Sequence, residues 1–131
     1  MIRCPDAGGA IPVTDGQVTV DAVAMRVAAD LIAPAAVADG MSFAIDLTFP
    51  DSPGTQGLRV ECVRLALVKE NARWDSVPRR TEESRDGSNA RVRSTDRDGP
   101  HWRAEDAVDV TIWLHTANGR HVLTLGRQPI H

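Results

Sequence analysis

The chain has 131 residues, of which 42% are hydrophobic and 25% charged, enough for one domain with a buried core and too apolar for wholesale disorder. Its formal net charge is −3, acids interrupt every run of Lys and Arg, and aromatics are 4% with no Tyr. Those values exclude a basic nucleic-acid binder and a platform for stacking bases.

Residues 1–18 hold Pro5, Gly8, Gly9, Pro12 and Gly16 and predict an irregular lead-in. The first six residues lack the apolar core of a signal peptide. The apolar stretch at 22–38 is broken by Arg26, Asp30 and Pro34, too short and interrupted for a transmembrane segment. A cytoplasmic protein is therefore expected. Cys4 and Cys62 are too few for a disulfide framework, and Cys62 is expected to be a buried, unreactive thiol rather than bridged to Cys4.

From Thr19 onward, Val20, Val23, Ala24, Val27 and Leu31 fall on one stripe at helical spacing. Thr19 suits an N-cap, Pro34 a stop, and the Ala-rich composition favours helix over a strand at 18–27. After the turn signal Asp39-Gly40, Phe43, Ile45, Leu47 and Phe49 alternate with smaller or polar residues, the period-2 signature of a half-buried strand. A turn at 50–54 follows. Leu58, Val60 and Cys62 then alternate with Arg59 and Glu61, after which Val63, Leu65 and Leu67 become the apolar set. That one-residue slip predicts a bulge or tight turn near Cys62 and Val63.

Residues 70–105 interleave Arg and acids almost one for one and predict a solvated loop, with one strand at 90–94 and with Trp74 and Trp102 at its ends. Val108, Val110, Ile112 and Leu114 define a further strand. Its continuation is ambiguous. Asn118-Gly119 signals a hairpin pairing Leu114 with Leu123 and Ile112 with Leu125, whereas Thr116 and Gly126 could bound a short helix.

Chemistry is sparse. His101, His115, His121 and His131 lack metal-ligand spacing, no Ser or Cys sits in a nucleophile motif, and Gly8-Gly9 is too short to cradle phosphate. Asp46, Asp51 and Glu61 are scattered acids of the capping or solubilising kind. No cofactor, metal or catalytic residue is expected, and the chain is not expected to be an enzyme.

The order of helix, turn, alternating strand and second strand resembles the sterol-carrier-protein-2-like C-terminal domain of metallo-β-lactamase-type alkyl sulfatases. Asp21, Ala24 and Arg26 carry the resemblance in the helix. Gly40, Phe43, Ile45, Asp46, Leu47, Phe49, Asp51, Leu58, Val60 and Glu61 continue it, and Asp109-Val110-Thr111-Ile112 with Leu114 and Gly126 end it. The match covers half the chain. It departs at Cys62-Val63, in the charged stretch at 70–105 and at the early end at His131, and the zinc hydrolase domain is missing.

The resemblance implies an α+β domain over 19–131, with an antiparallel sheet of four to five strands packed on one or two helices, and tips residues 116–125 toward helix. It also implies a non-catalytic binding or accessory domain for a lipid or alkyl chain. The candidate apolar face comprises Phe43, Ile45, Leu47, Phe49, Leu58, Val60, Ile112 and Leu114. The shortened C-terminus would leave one side of such a tunnel open, inviting a homodimer or a partner protein. Two alternatives stand beside it: a protein–protein interaction or oligomerisation domain with no small-molecule ligand, and an all-β immunoglobulin-like sandwich taking 18–27 as strand and Asn118-Gly119 as a hairpin.

Overall fold

The computed structural model describes residues 2–36 and 39–131; Val37 and Ala38, which end the apolar stretch at 22–38, lie outside them, as does Met1. In chain order the strands are β1 (Ile11–Pro12), β2 (Gln17–Val20), β3 (Val23–Ile32), β4 (Ser42–Pro50) and β5 (Arg59–Leu67). They continue with β6 (Ala72–Ser76), β7 (Arg80–Asp86), β8 (Asn89–Asp96), β9 (Ala107–Thr116) and β10 (Gly119–Pro129). A single 3-10 turn, Pro53–Thr55, is the only helical element among the described residues.

The strands form two five-stranded sheets, β1-β10-β9-β5-β6 and β2-β3-β4-β8-β7, here called the β9 sheet and the β4 sheet. The α+β expectation is therefore overturned. Within the sheets, β3-β4-β8-β7 and β10-β9-β5-β6 follow the A-B-E-D and G-F-C-C′ strand orders of an immunoglobulin-like sandwich. The sterol-carrier layout, helix on sheet, is not what this chain builds.

Two corrections account for the difference. The predicted helix at 20–31 is the β2–β3 hairpin, in which Val20 pairs with Val23 and Val18 with Met25. Its turn residues, Asp21 and Ala22, both adopt positive φ (51° and 64°), as a type I′ hairpin turn requires, and no glycine announces it. Val18, Val20, Met25, Val27 and Leu31 point into the core, so the apolar period was two all along. The tail predicted as helix at 116–125 is the β9–β10 hairpin. Thr116 pairs with Gly119 and Leu123 with Ile112, so the turn lies at Ala117-Asn118, one residue before the hairpin signal, and Gly119 takes φ 109°.

The alternation of β4 and β9 and the slip in β5 appear as expected. Phe43, Ile45, Leu47 and Phe49 face inward, and the pairing of β5 with β9 shifts register between Val60 and Cys62. The bulge brings Val63 and Leu65 onto the inner face and sends Cys62 to the outer one. One continuous cluster between the sheets combines aliphatic side chains and Met with Phe43 and Phe49, and half-buried Trp74 and Trp102 pack against it.

The charged stretch at 70–105 is a correction too, because it builds β6, β7 and β8 rather than a loop with one strand. All seven residues of β7 are exposed, so no apolar alternation marks it. Its Glu83 and Arg85 stand opposite inward-facing Val92 and Ala90, placing charge on the inner side of an edge strand. Such charges discourage another strand from pairing there. On the opposite side the sandwich is nearly closed: β1 runs parallel to β10, the chain then crosses to β2, and His131 exchanges backbone hydrogen bonds with Leu31 and Ala33 of the other sheet.

Candidate functional site

The eight residues singled out as an apolar ligand face all lie in the interior. Phe43, Ile45, Leu47, Phe49, Leu58, Val60, Ile112 and Leu114 are each at most 6% exposed and belong to the same packed cluster. Each sheet covers the inner face of the other, so these residues meet side chains rather than a ligand. Phe49 and Leu58 border a solvent-connected cleft of about 310 Å³ between the 3-10 turn and β7–β8, which Asp51, Glu83 and Arg85 also line; Phe49 borders a second of about 430 Å³ beside β2 and β3, and Phe43 underlies a third of about 440 Å³. Among the described residues no three His, Cys, Asp or Glu side chains gather as metal ligands.

The outer faces of the two sheets differ. On the β9 sheet, Cys62, Trp113 and Val122 would meet solvent, but a segment of the lead-in lies over them. Cys4 is bonded to Cys62 in a disulfide, Cα to Cα 5.7 Å, and Ala7 and Ala10 pack on the same cluster. The expected free thiols are thus a correction. A span of 58 residues separates the two cysteines, and only the bulge turns Cys62 toward the face that Cys4 crosses.

Polar contacts fix the strap. Asp75 on β6 accepts hydrogen bonds from the Cys4 backbone N–H (3.0 Å) and from Arg64 Nε (2.9 Å) and Nη2 (3.1 Å). Arg64 also reaches the Cys4 carbonyl and lies 5.2 Å from the centre of the Trp113 ring, a cation–π arrangement. Burial alone would raise the Asp75 carboxyl, but the bonds from Arg64 and Cys4 outweigh it and hold the group below the usual carboxylate range. The Arg64 guanidinium is correspondingly raised by its hydrogen bond to Asp75.

Among the described residues no such strap crosses the β4 sheet. Its outer face presents Arg26 on β3, Asp46 on β4 and Arg91 and Arg93 on β8, with Asp46 accepting from Arg91 Nη2 (3.1 Å) and Arg93 Nη1 (2.7 Å). Toward the β8 C-terminus this face deepens into a groove of about 440 Å³, lined by Arg79, Arg80, Arg93 and Arg97. Register explains the gathering. Arg80 pairs with Thr95, Thr95 with Ala44, and Glu82 with Arg93, so Arg80 and Arg93 rise from one face around small residues. Arg79 is tethered to Asp96 and, at 3.0 Å, to Asp98, and its hydrogen bonds to these acids raise its guanidinium further.

Sequence reading missed these four arginines because their charges are balanced by neighbours in the chain. The signal was present in Arg91, Arg93 and Thr95, which alternate with Val92 and Ser94 at strand period. Elsewhere, His121 Nε2 lies 2.9 Å from Asp21 Oδ2, joining the β2–β3 turn to β10, while Glu61 contacts His115 and Arg120. These pairs tie strands together at one end of the sandwich. No helix among the described residues is long and apolar enough to cross a membrane. In comparisons with family models, curated proteins and solved structures, the chain finds no match.

Proposed function

We propose that this domain is a non-catalytic protein-interaction module that docks a partner on the outer face of the β4 sheet. The observation carrying this reading is the contrast in cover. The chain spends a disulfide, a salt bridge and a cation–π contact to cover the apolar patch of Cys62, Trp113 and Val122 on the outer face of the β9 sheet, and no described residue lies in the same way over the β4 sheet. The uncovered face is rich in arginine, a residue favoured at interfaces for its planar, multidentate donors. The edge charges Glu83 and Arg85 favour docking on the face over strand addition at β7. The disulfide further favours work in an oxidising compartment rather than the cytosol.

Site-specific photo-crosslinking tests the reading. A crosslinking side chain at Thr48 on the outer β4 face should capture one discrete protein from native extract, and the same group at Ala66 on the β9 sheet should not. Equal capture from both faces, or from neither, contradicts it. A chain that instead copurifies with a lipid bound between its sheets contradicts it as well.

A further inference from the structure

We infer that the arginine groove at the β8 end of the β4 sheet receives an acidic, extended segment of the partner protein, carboxylates on the guanidiniums and an apolar side chain on Ile32. This inference rests on the docking reading above and names the chemistry of what docks.

The lining counts four guanidiniums against one carboxylate, Asp96. That carboxylate is already committed, accepting from Ser76 Oγ, Arg79 Nε and the Arg97 backbone N–H, with only 8% of its side chain exposed. Arg79 therefore neutralises Asp96, and Arg80, Arg93 and Arg97 remain to meet a ligand. Each touches an acid outside the groove: Arg80 to Glu82 at 2.8 Å, Arg93 to Asp46 at 2.7 Å, and Arg97 to Asp98 at 3.9 Å. The Arg80 and Arg97 pairs are exposed on both sides and worth about 0–1 kcal/mol, whereas Arg93 holds the half-buried Asp46 through Nη1 alone. A guanidinium has five N–H donors and these contacts engage few of them, so an incoming carboxylate adds bonds without first breaking strong ones.

The groove's shape argues for a peptide. Ala44 and Thr95 give a shallow floor, and Ile32, 45% exposed, stands as an apolar shoulder beside the charges. Carboxylates alternating with an apolar residue along an extended chain match that layout, because side chains two apart lie on one side of a strand. A nucleic-acid strand fits less well: the chain carries net charge −3, and Phe43, the aromatic residue of the lining, is 2% exposed and packed in the core, so its ring is not free to stack a base.

The test is fluorescence anisotropy on the intact, disulfide-bonded chain, with a labelled peptide alternating Glu with Ser around one Leu, and its Gln counterpart. The Glu peptide should bind about tenfold tighter than the Gln peptide. The difference should shrink as NaCl rises from about 50 to about 300 mM, as screening requires. The double variant Arg93→Gln/Arg97→Gln should lose about tenfold in affinity, while circular dichroism and Tm stay near wild type. Amide shifts in the wild-type chain should centre on Ser42, Thr95 and Ile32, which keeps the test decisive without any variant. Equal binding of both peptides, an unaffected double variant, or shifts centred on the β9 sheet would overturn the inference. So would single-stranded DNA or a sulfated oligosaccharide that binds tighter than the Glu peptide. Loss of peptide binding with face-selective crosslinking intact would remove the acidic segment and leave the docking face standing.

Discussion

On the β9 sheet, the outward Cys62, Trp113 and Val122 are buried beneath a strap anchored by Cys4; on the β4 sheet, the outward Arg26, Arg91 and Arg93 reach solvent. Both sheets contribute to one interior, so the difference is not a difference in core. It lies in what each strand places on its back. Apolar side chains on an outer face must be covered, and this chain covers them with its own N-terminal residues. Ion-paired side chains around small residues need no cover and remain available. The contrast teaches that in a two-sheet sandwich the outer faces, rather than the alternating inner ones, decide where a partner can sit.

The largest effect should come from cutting the strap. Replacing Cys4 and Cys62 together by Ser should cost about 2–4 kcal/mol, because the bridge closes a long loop in the unfolded chain. Denaturant titration measures it, and the cost should be matched in wild-type protein under reducing conditions. A cost near zero would mean that the strap holds without its covalent link.

Asp75→Asn should follow, at about 1.5–3 kcal/mol, since one carboxylate serves both Arg64 and the Cys4 backbone. Its pH dependence has a definite sign. The folded carboxyl lies below its ordinary value, so its contribution is fully present above the unfolded pKa and fades as pH falls through the folded one. Wild type should therefore lose stability below about pH 4 more steeply than the Asn variant. Parallel acid-denaturation curves would contradict this.

The smallest effect on stability belongs to the other face. Asp46→Asn should change stability by no more than about 1 kcal/mol, because Arg91 and Arg93 are half-exposed and regain water. It should nonetheless tighten binding of the Glu peptide by releasing Arg93. A large loss of stability with no gain in binding would place Asp46 among the supports of the fold instead.

Much of the interior was legible in the sequence. Strands β4, β5 and β9 announced themselves by alternation, and the parity slip at Cys62 marked the bulge. The hairpin at Asp21-Ala22 did not, because Ala22 gives no hint of positive φ and the alanines of β3 mimic helix composition. The tail carried a sound local hairpin signal at Asn118-Gly119, which a distant resemblance outweighed. Strand β7 was invisible because both of its sides are charged. The groove was hidden for a geometric reason. Arg79 and Arg80 are separated from Arg93 and Arg97 by a hairpin, and only the β7–β8 pairing brings the four guanidiniums of a sign-balanced stretch around one groove.

The most direct measurement of the central claim is hydroxyl-radical footprinting of the native chain, alone and with the Glu peptide. Trp113 is fully buried under the strap and Ile32 is exposed beside the groove. Trp113 should resist oxidation in the native chain, peptide or no peptide, and become reactive once the Cys4–Cys62 bond is reduced; Ile32 should oxidise in the free chain and be protected by the peptide. Native Trp113 oxidising as fast as half-exposed Trp102, with Ile32 unchanged by the peptide, would contradict the division into a covered face and a docking face.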